Sequence, residues 1–139
     1  EQGSGHIINM SSVAGLIASP LITSYSASKF GARAFTASLR REVAPLGIKV
    51  SGIYPGPAAT EFGQHVGESK AYNSFRSKFN IRMTSEYVAK RVVDVAKRPR
   101  RSLVTPRWQV LSSFFNSHFT ALSDKVQAKT FAAYHQIQD

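Results

Sequence analysis

The chain has 139 residues, enough for one domain with a hydrophobic core, and 42% of them are apolar, which fits a globular protein and argues against a disordered one. It contains no cysteine, so disulfides and thiolate metal sites are excluded, and a reducing, cytoplasmic setting is compatible with that. The net charge of +10 is lopsided: residues 1–69 hold five Lys or Arg against four Asp or Glu, whereas residues 70–139 hold thirteen against four.

The opening Glu1-Gln-Gly-Ser-Gly-His6 has no basic stretch followed by an apolar one, so it is not a signal peptide. It has no initiator methionine and runs almost at once into a strand, which reads as an entry partway through a fold. His6–Met10 is a short apolar run of the kind that forms a buried parallel strand. Ser11–Ser24 is small and polar, with Gly15 and Pro20, and reads as a loop. From Tyr25 to Ala44 the chain is rich in Ala, Leu, Arg and Glu and free of Pro, which predicts a helix about 30 Å long, ended by Pro45 and Gly47. Ile48–Tyr54 alternates apolar with small or polar residues and is the second strand, stopped by Pro55-Gly56-Pro57.

A mixed segment from Ala58 to Met83 carries one expected helix near Glu68–Phe79. Thr84 or Ser85 caps the next helix, with Glu86 in its first turn and Val88, Val92 and Val95 at helical spacing. Ser102–Thr105 is a third strand. Trp108 to about Tyr134 is helical in pattern, with a break expected near Ser123-Asp124. Strand–helix alternation of this kind predicts an α/β fold with a parallel sheet and crossover helices. We expect residues 1–107 to form part of such a domain and residues 108–139 a helical extension of it. No apolar run reaches the ~20 residues that span a bilayer.

Tyr25-x-x-x-Lys29 is the chemical centre of this reading. By itself it is an ordinary i, i+4 surface pair. That spacing nevertheless puts an ammonium on the helix face of a phenol. A free phenol titrates near ~10, so acid/base work near neutrality requires lowering it by about three units, or ~4 kcal/mol. A cation ~5 Å away at an effective dielectric of ~20 supplies ~3 kcal/mol. Ser12 lies in the loop at the carboxyl end of the first strand, where ligands bind in open α/β sheets, and its hydroxyl can stabilise charge on a carbonyl oxygen. The bland alternative for Ser11 and Ser12 is loop polarity or capping. Pro55-Gly56 ends the next strand and would line the same crevice, Gly permitting close approach of a flat ligand.

These residues together resemble the short-chain dehydrogenase/reductase family. The resembling stretch runs from Gly5 to about Phe62: G-H-I-I-N-M-S-S-V-A-G, then Y-S-A-S-K, then the P-G run from Pro55 to Thr60. The resemblance implies a partial Rossmann-like doubly wound sheet and an enzyme transferring hydride between NAD or NADP and an alcohol or carbonyl substrate. It implies Tyr25 as acid/base, Ser12 as the residue polarising the substrate carbonyl, and Lys29 as the cation that activates Tyr25 and holds the nicotinamide ribose. It implies that Pro55, Gly56 and Ala58 lie along the nicotinamide, with Thr60 near the carboxamide or pyrophosphate. The family often has Val or Ile where Ala58 stands, so packing on the ring would be weaker here. The family's Gly-rich dinucleotide turn, its N-N-A-G segment and the Asn of its catalytic tetrad are not in the chain. The residues present therefore correspond to the second half of the family fold. We expect them to be inactive alone, and the choice between NAD and NADP lies outside them. A truncated, non-catalytic remnant acting as an interaction module is the alternative reading.

Two further expectations concern partners. The helix from Tyr25 to Ala44 has small-residue stripes, Ala27, Gly31, Ala34, Ser38 and Ser28, Ala32, Phe35, Leu39, and the resemblance implies a homo-oligomer formed through it. Lys97-Arg98-Pro99-Arg100-Arg101 and Arg107 precede Trp108, Leu111, Phe114, Phe115, Phe119 and Leu122. That pattern fits a lid over an apolar substrate pocket, a core-packing helix or a peripheral membrane contact. No recognised nucleic-acid-binding motif accompanies the basic half, and we expect no nucleic-acid partner. The four histidines are not at metal-ligand spacing, and no metal site is expected.

Overall fold

The computed structural model describes residues 3–59 and 83–135. Its architecture follows from β2, Ile48–Pro55, in which Val50, Ser51, Gly52, Ile53 and Tyr54 are all buried. A run buried on both faces is the mark of a central parallel strand. On one side β2 pairs in parallel with β1, Gly5–Met10, in the register Asn9 opposite Gly52. On the other it pairs with Ser102–Thr105, which in chain order is β5, with Ile53 opposite Leu103. The sheet order is therefore β1-β2-β5. Between β2 and β5 in sequence, Ala58–Ala59 (β3) and Met83–Thr84 (β4) form a separate two-stranded parallel pair.

Helices cover both faces of the three-stranded sheet. The helix α1, Thr23–Val43, starts two residues earlier than the composition suggests, with no side-chain cap at Ile22. It ends where expected: Pro45 lies in a short 3-10 turn, and Gly47 closes it at φ 73°, its N–H bonding to the Ala44 carbonyl at 3.1 Å. A left-handed residue of this kind after a helix is a position that favours glycine. The helix α2, Ser85–Lys97, is capped by Thr84, whose hydroxyl accepts from the Tyr87 N–H at 3.2 Å. Val92 and Val95 of α2 pack on Ile8, Ile53 and Leu103, and Ile53 and Val95 are fully buried. Asn9, adjacent to Ile8, must face the other way. Its amide donates to Thr36 Oγ1 of α1 at 3.1 Å, so α1 lies on the opposite face.

Arg40 fastens the far end of α1 to the sheet. Its guanidinium donates to the carbonyls of Val50, 2.8 Å, and Arg101, 2.9 Å. Desolvation, followed by the neighbouring charge of Arg101, lowers its pKa from the usual arginine value.

The helices α3, Trp108–His118, and α4, Thr120–His135, follow β5. The break falls at Phe119 and not at Ser123-Asp124, which corrects the expectation from the sequence. The Phe119 backbone leaves the helical region at φ −122° and ψ 54°, while its carbonyl accepts from the N–H groups of Leu122 and Ser123 and so starts α4. Ser123 is buried inside that helix. A short polar pair does not interrupt a helix whose tertiary packing favours continuation. The helix expected near Glu68–Phe79 lies outside the described residues, as does Thr60.

Candidate functional site

The carboxyl ends of β1 and β2 lie side by side, and the polar residues singled out above collect there. Ser11 N–H donates to the Ile53 carbonyl at 2.8 Å, carrying the β1–β2 pairing one residue further. Ser12 then turns the chain. Its backbone is extended, and its hydroxyl accepts from Ala14 N–H at 3.1 Å, capping a 3-10 turn over Val13–Gly15. The same hydroxyl donates to the Pro55 carbonyl at 3.4 Å. The capping role weighed as the bland alternative is therefore real, and it coexists with a placement against Pro55, at the end of the neighbouring strand.

The Ser12 turn is also fixed to α1. Ser11 Oγ donates to the Lys29 carbonyl at 2.9 Å, and Arg33 Nη1 donates to the Gly15 carbonyl at 3.5 Å. Gly15 lies so close to α1 that a Cβ there would be 2.5 Å from the Lys29 carbonyl oxygen. Glycine permits this approach because it has no side chain. Tyr25 and Lys29 lie in the first two turns of α1, both half-buried, with the Lys29 ammonium 5.4 Å from the Tyr25 ring centroid.

Pro55 and Gly56 follow at the end of β2. Gly56 N–H donates to the Thr105 carbonyl at 2.7 Å, which ties the turn to β5. The side chain of Gln109, in the first turn of α3, fills the volume that a Cβ on Gly56 would occupy, with Oε1 2.5 Å and Nε2 2.6 Å from that point. Gln109 is buried, and its Oε1 has no hydrogen-bond partner among the described residues. Ala58 is held in the β3–β4 pair opposite Met83, whose N–H donates to the Pro57 carbonyl at 3.1 Å.

Three of the sequence-derived residues, Ser12, Pro55 and Gly56, thus meet across two strand ends, and Tyr25 and Lys29 meet on one helix. The two groups are joined through Ser11, Gly15 and the Lys29 backbone. Gly15 and Gln109 were not singled out by sequence reasoning. Gly15 was visible as a loop glycine, but nothing in the sequence tells which backbone it approaches. Gln109 had no sequence signal at all.

A parallel sheet covered on both faces, with its polar set at the carboxyl ends of the strands, is the Rossmann-like arrangement for ligand binding. Comparison with known proteins narrows this class. The family model for short chain dehydrogenases matches residues 1–71, and the chain belongs to that family. It is 38% identical over 110 residues to a putative oxidoreductase SadH of Mycobacterium tuberculosis, covering 73% of this chain and 40% of that protein. It is 32% identical over 120 residues to a dehydrogenase/reductase SDR family protein 7-like of Drosophila melanogaster, covering 85% of this chain and 37% of that one. The chain thus spans about two fifths of the length of these curated relatives. Among solved structures, a short chain dehydrogenase from Burkholderia cenocepacia, in complex with NADP, superposes with a TM-score of 0.68 at 23% identity, over 88% of this chain and 47% of that one. A short chain dehydrogenase/reductase from Burkholderia phymatum, in complex with NAD, gives a TM-score of 0.68 at 18% identity, over 85% of this chain and 48% of that one. At these identities the two structures support the fold. No described helix is long and apolar enough to cross a membrane.

Proposed function

We propose that the chain carries the reacting half of an NAD(P)-dependent oxidoreductase that moves hydride between a nicotinamide and an alcohol or carbonyl carbon. The observation that carries this reading is the Lys29 ammonium 5.4 Å from the Tyr25 ring, on a helix fastened to the Ser12 turn. In the reductive direction Tyr25 gives its phenolic proton to the oxygen of the substrate carbonyl as hydride reaches the carbon; in the oxidative direction it takes the proton back. The positive charge of Lys29 favours the phenolate that forms. Ser12 donates a hydrogen bond to the substrate oxygen and stabilises the charge that develops on it.

The nicotinamide supplies the hydride when bound. Pro55 fits a flat ring because it fixes the turn, whereas the side-chain-free face of Gly56 is taken up by Gln109. Ala58 and Thr60 would follow along it. Both NAD and NADP are compatible with these residues, and Lys29 would hold the ribose. We expect the 139 residues alone to show no turnover, since the Gly-rich dinucleotide turn is not among them. The same reading extends to a homo-oligomer through α1, where the stripe Ala27, Gly31, Ala34 and Ser38 is exposed.

The test is Tyr25→Phe in a chain extended to carry the dinucleotide-binding turn, assayed against ketones and aldehydes with both cofactors. A loss of about 10²–10⁴-fold in kcat is expected for removal of a general acid/base. Activity retained by Tyr25→Phe would remove Tyr25 from the chemistry.

A further inference from the structure

A cleft of about 620 Å³ is walled on one side by the loop Ile17–Leu21, which leads from the Ser12 turn toward the helix of Tyr25, and on the other by α3 and α4. Ile17, Leu21, Trp108, Leu111, Phe115 and Val126 give it its apolar character, and none of its lining residues among those described is charged. Five of these six are left between 42% and 72% exposed, so the cleft presents apolar surface that the described residues leave uncovered. Its volume falls within the range of sites that hold one small molecule, roughly 300–1,000 Å³.

Two observations connect the cleft to a ligand and to the chemistry. Leu21 has φ 71°, in the left-handed region that residues other than glycine rarely adopt. Strain of this kind collects at ligand clamps and costs ~1–3 kcal/mol; the strained residue here lines the cleft. In addition, Ile17–Leu21 is the connection between the Ser12 turn and the helix that bears Tyr25. The wall of the cleft and the reacting hydroxyls therefore belong to one continuous segment.

We propose that this cleft takes the apolar body of the substrate, a medium-length alkyl chain or fused-ring system attached to the reacting alcohol or ketone. The proposal rests on the oxidoreductase reading above and names the substrate class for it. A phosphorylated, sugar-acid or otherwise charged substrate is disfavoured. Its charge would be stripped of water against apolar walls with no ionic partner among the described lining residues.

Trp108 is the single tryptophan of the chain and lines the cleft, so its emission reports occupancy directly. The experiment titrates the chain with undecan-2-one, with butan-2-one and with mixed phosphatidylcholine–phosphatidylserine vesicles, following Trp108 emission. A saturable blue shift with undecan-2-one, and none with butan-2-one at the same concentration, is expected. Leu111→Ser changes a side chain already 72% exposed, so the fold is not at risk. It should weaken binding about tenfold, in line with the loss of one apolar side-chain contact. Ser112→Phe, which fills the cleft, should do the same, whereas Phe114→Ser, on α3 but outside the cleft, should leave binding unchanged.

A shift that does not saturate, or one weakened equally by Phe114→Ser, would overturn the proposal. So would a response to vesicles alone, which would make the face a lipid contact, or ketone-independent self-association in sedimentation, which would make it a contact between copies. Binding with the expected variant pattern, combined with unchanged turnover in the extended Tyr25→Phe protein, would remove Tyr25 from the chemistry and leave the cleft standing. In the extended protein, kcat/KM independent of alkyl length would sink the cleft and leave the chemistry.

Discussion

Gly15→Ala tests whether the Ser12 turn is held against the helix of Tyr25 and Lys29. A Cβ at this position would lie 2.5 Å from the Lys29 carbonyl oxygen, 2.8 Å from its carbon and 2.8 Å from Ser11 Oγ. Two of the three atoms are backbone of α1, so no side-chain rotation relieves the contact. Moving from 2.5 Å to the 3.0 Å floor seen for real Cβ contacts requires a displacement of at least about 0.5 Å. Overpacking of this sort costs ~1–3 kcal/mol, offset by ~0.4–1 kcal/mol because alanine restricts the unfolded chain more than glycine does. The net expectation is a destabilisation of about 1–2 kcal/mol.

The matched control is Gly31→Ala in the middle of α1, where a Cβ meets nothing within 4 Å. There the same substitution should stabilise by about 0.5–1 kcal/mol through helix propensity. Urea denaturation of the two variants beside the parent, at concentrations where the chain is monomeric, reads both signs. The functional consequence follows from the same shift. In an extended, active chain, Gly15→Ala moves Ser12 relative to Tyr25 by a fraction of an ångström, which should lower kcat by about tenfold if a 1 Å misplacement costs about a hundredfold. A Gly15→Ala protein as stable as the parent, or stabilised like Gly31→Ala, would refute the reasoning that this contact positions the site.

Gly56→Ala should cost about 1–3 kcal/mol because the new methyl meets the Gln109 amide, and in a Gln109→Ala background most of that cost should vanish. A double-mutant cycle by urea denaturation measures the coupling, and purely additive losses would contradict the packing. Thr84→Ala removes the hydroxyl that accepts from Tyr87 N–H and should destabilise by about 1 kcal/mol, read from the denaturation midpoint. The Glu86 carboxyl has its pKa lowered, chiefly by a hydrogen bond to its own backbone N–H, then by the hydroxyls of Thr84 and Ser85. Its folded pKa lies below its unfolded one, so its contribution to stability is fully present above the ordinary carboxylate range and is lost as pH falls through the lowered value. Glu86→Gln should therefore flatten the acid limb of the stability profile while leaving its shape near neutrality unchanged.

The strands were legible because their patterns have one physical reading. Ile48–Tyr54 reads as a strand from its alternation of apolar with small or polar residues, and because Ser51 and Gly52 are small, β2 buries five residues in a row as the centre of the sheet. Val88, Val92 and Val95 recur at helical spacing, and Val92 and Val95 became the face that α2 lays on Ile8 and Ile53. Pro45 and Gly47 marked the end of α1 because neither can continue a helix without penalty. Helix ends without such markers were less legible: α1 starts at Thr23 with no side-chain cap, and the turn between α3 and α4 sits at Phe119, an aromatic residue with no local breaking signal.

The site divides along the same line. Tyr25 and Lys29 are four residues apart on one helix, so their proximity follows from helical geometry alone. Ser12 and Pro55 are 43 residues apart, and their contact depends on the β1–β2 register. Gln109 reaches Gly56 only through the packing of α3 beneath the end of β2, a relation that local pattern does not encode.

Ser12 and Tyr25 are proposed to act on one substrate oxygen as a unit. The most direct measurement is kcat for Ser12→Ala, Tyr25→Phe and the double variant in a chain extended to carry the dinucleotide-binding turn, followed by nicotinamide absorbance. Groups that act as a unit are strongly non-additive. The double variant should be no more than about threefold slower than Tyr25→Phe alone. A double variant whose loss equals the product of the two single losses would show the two hydroxyls acting independently and would contradict their joint action on one oxygen.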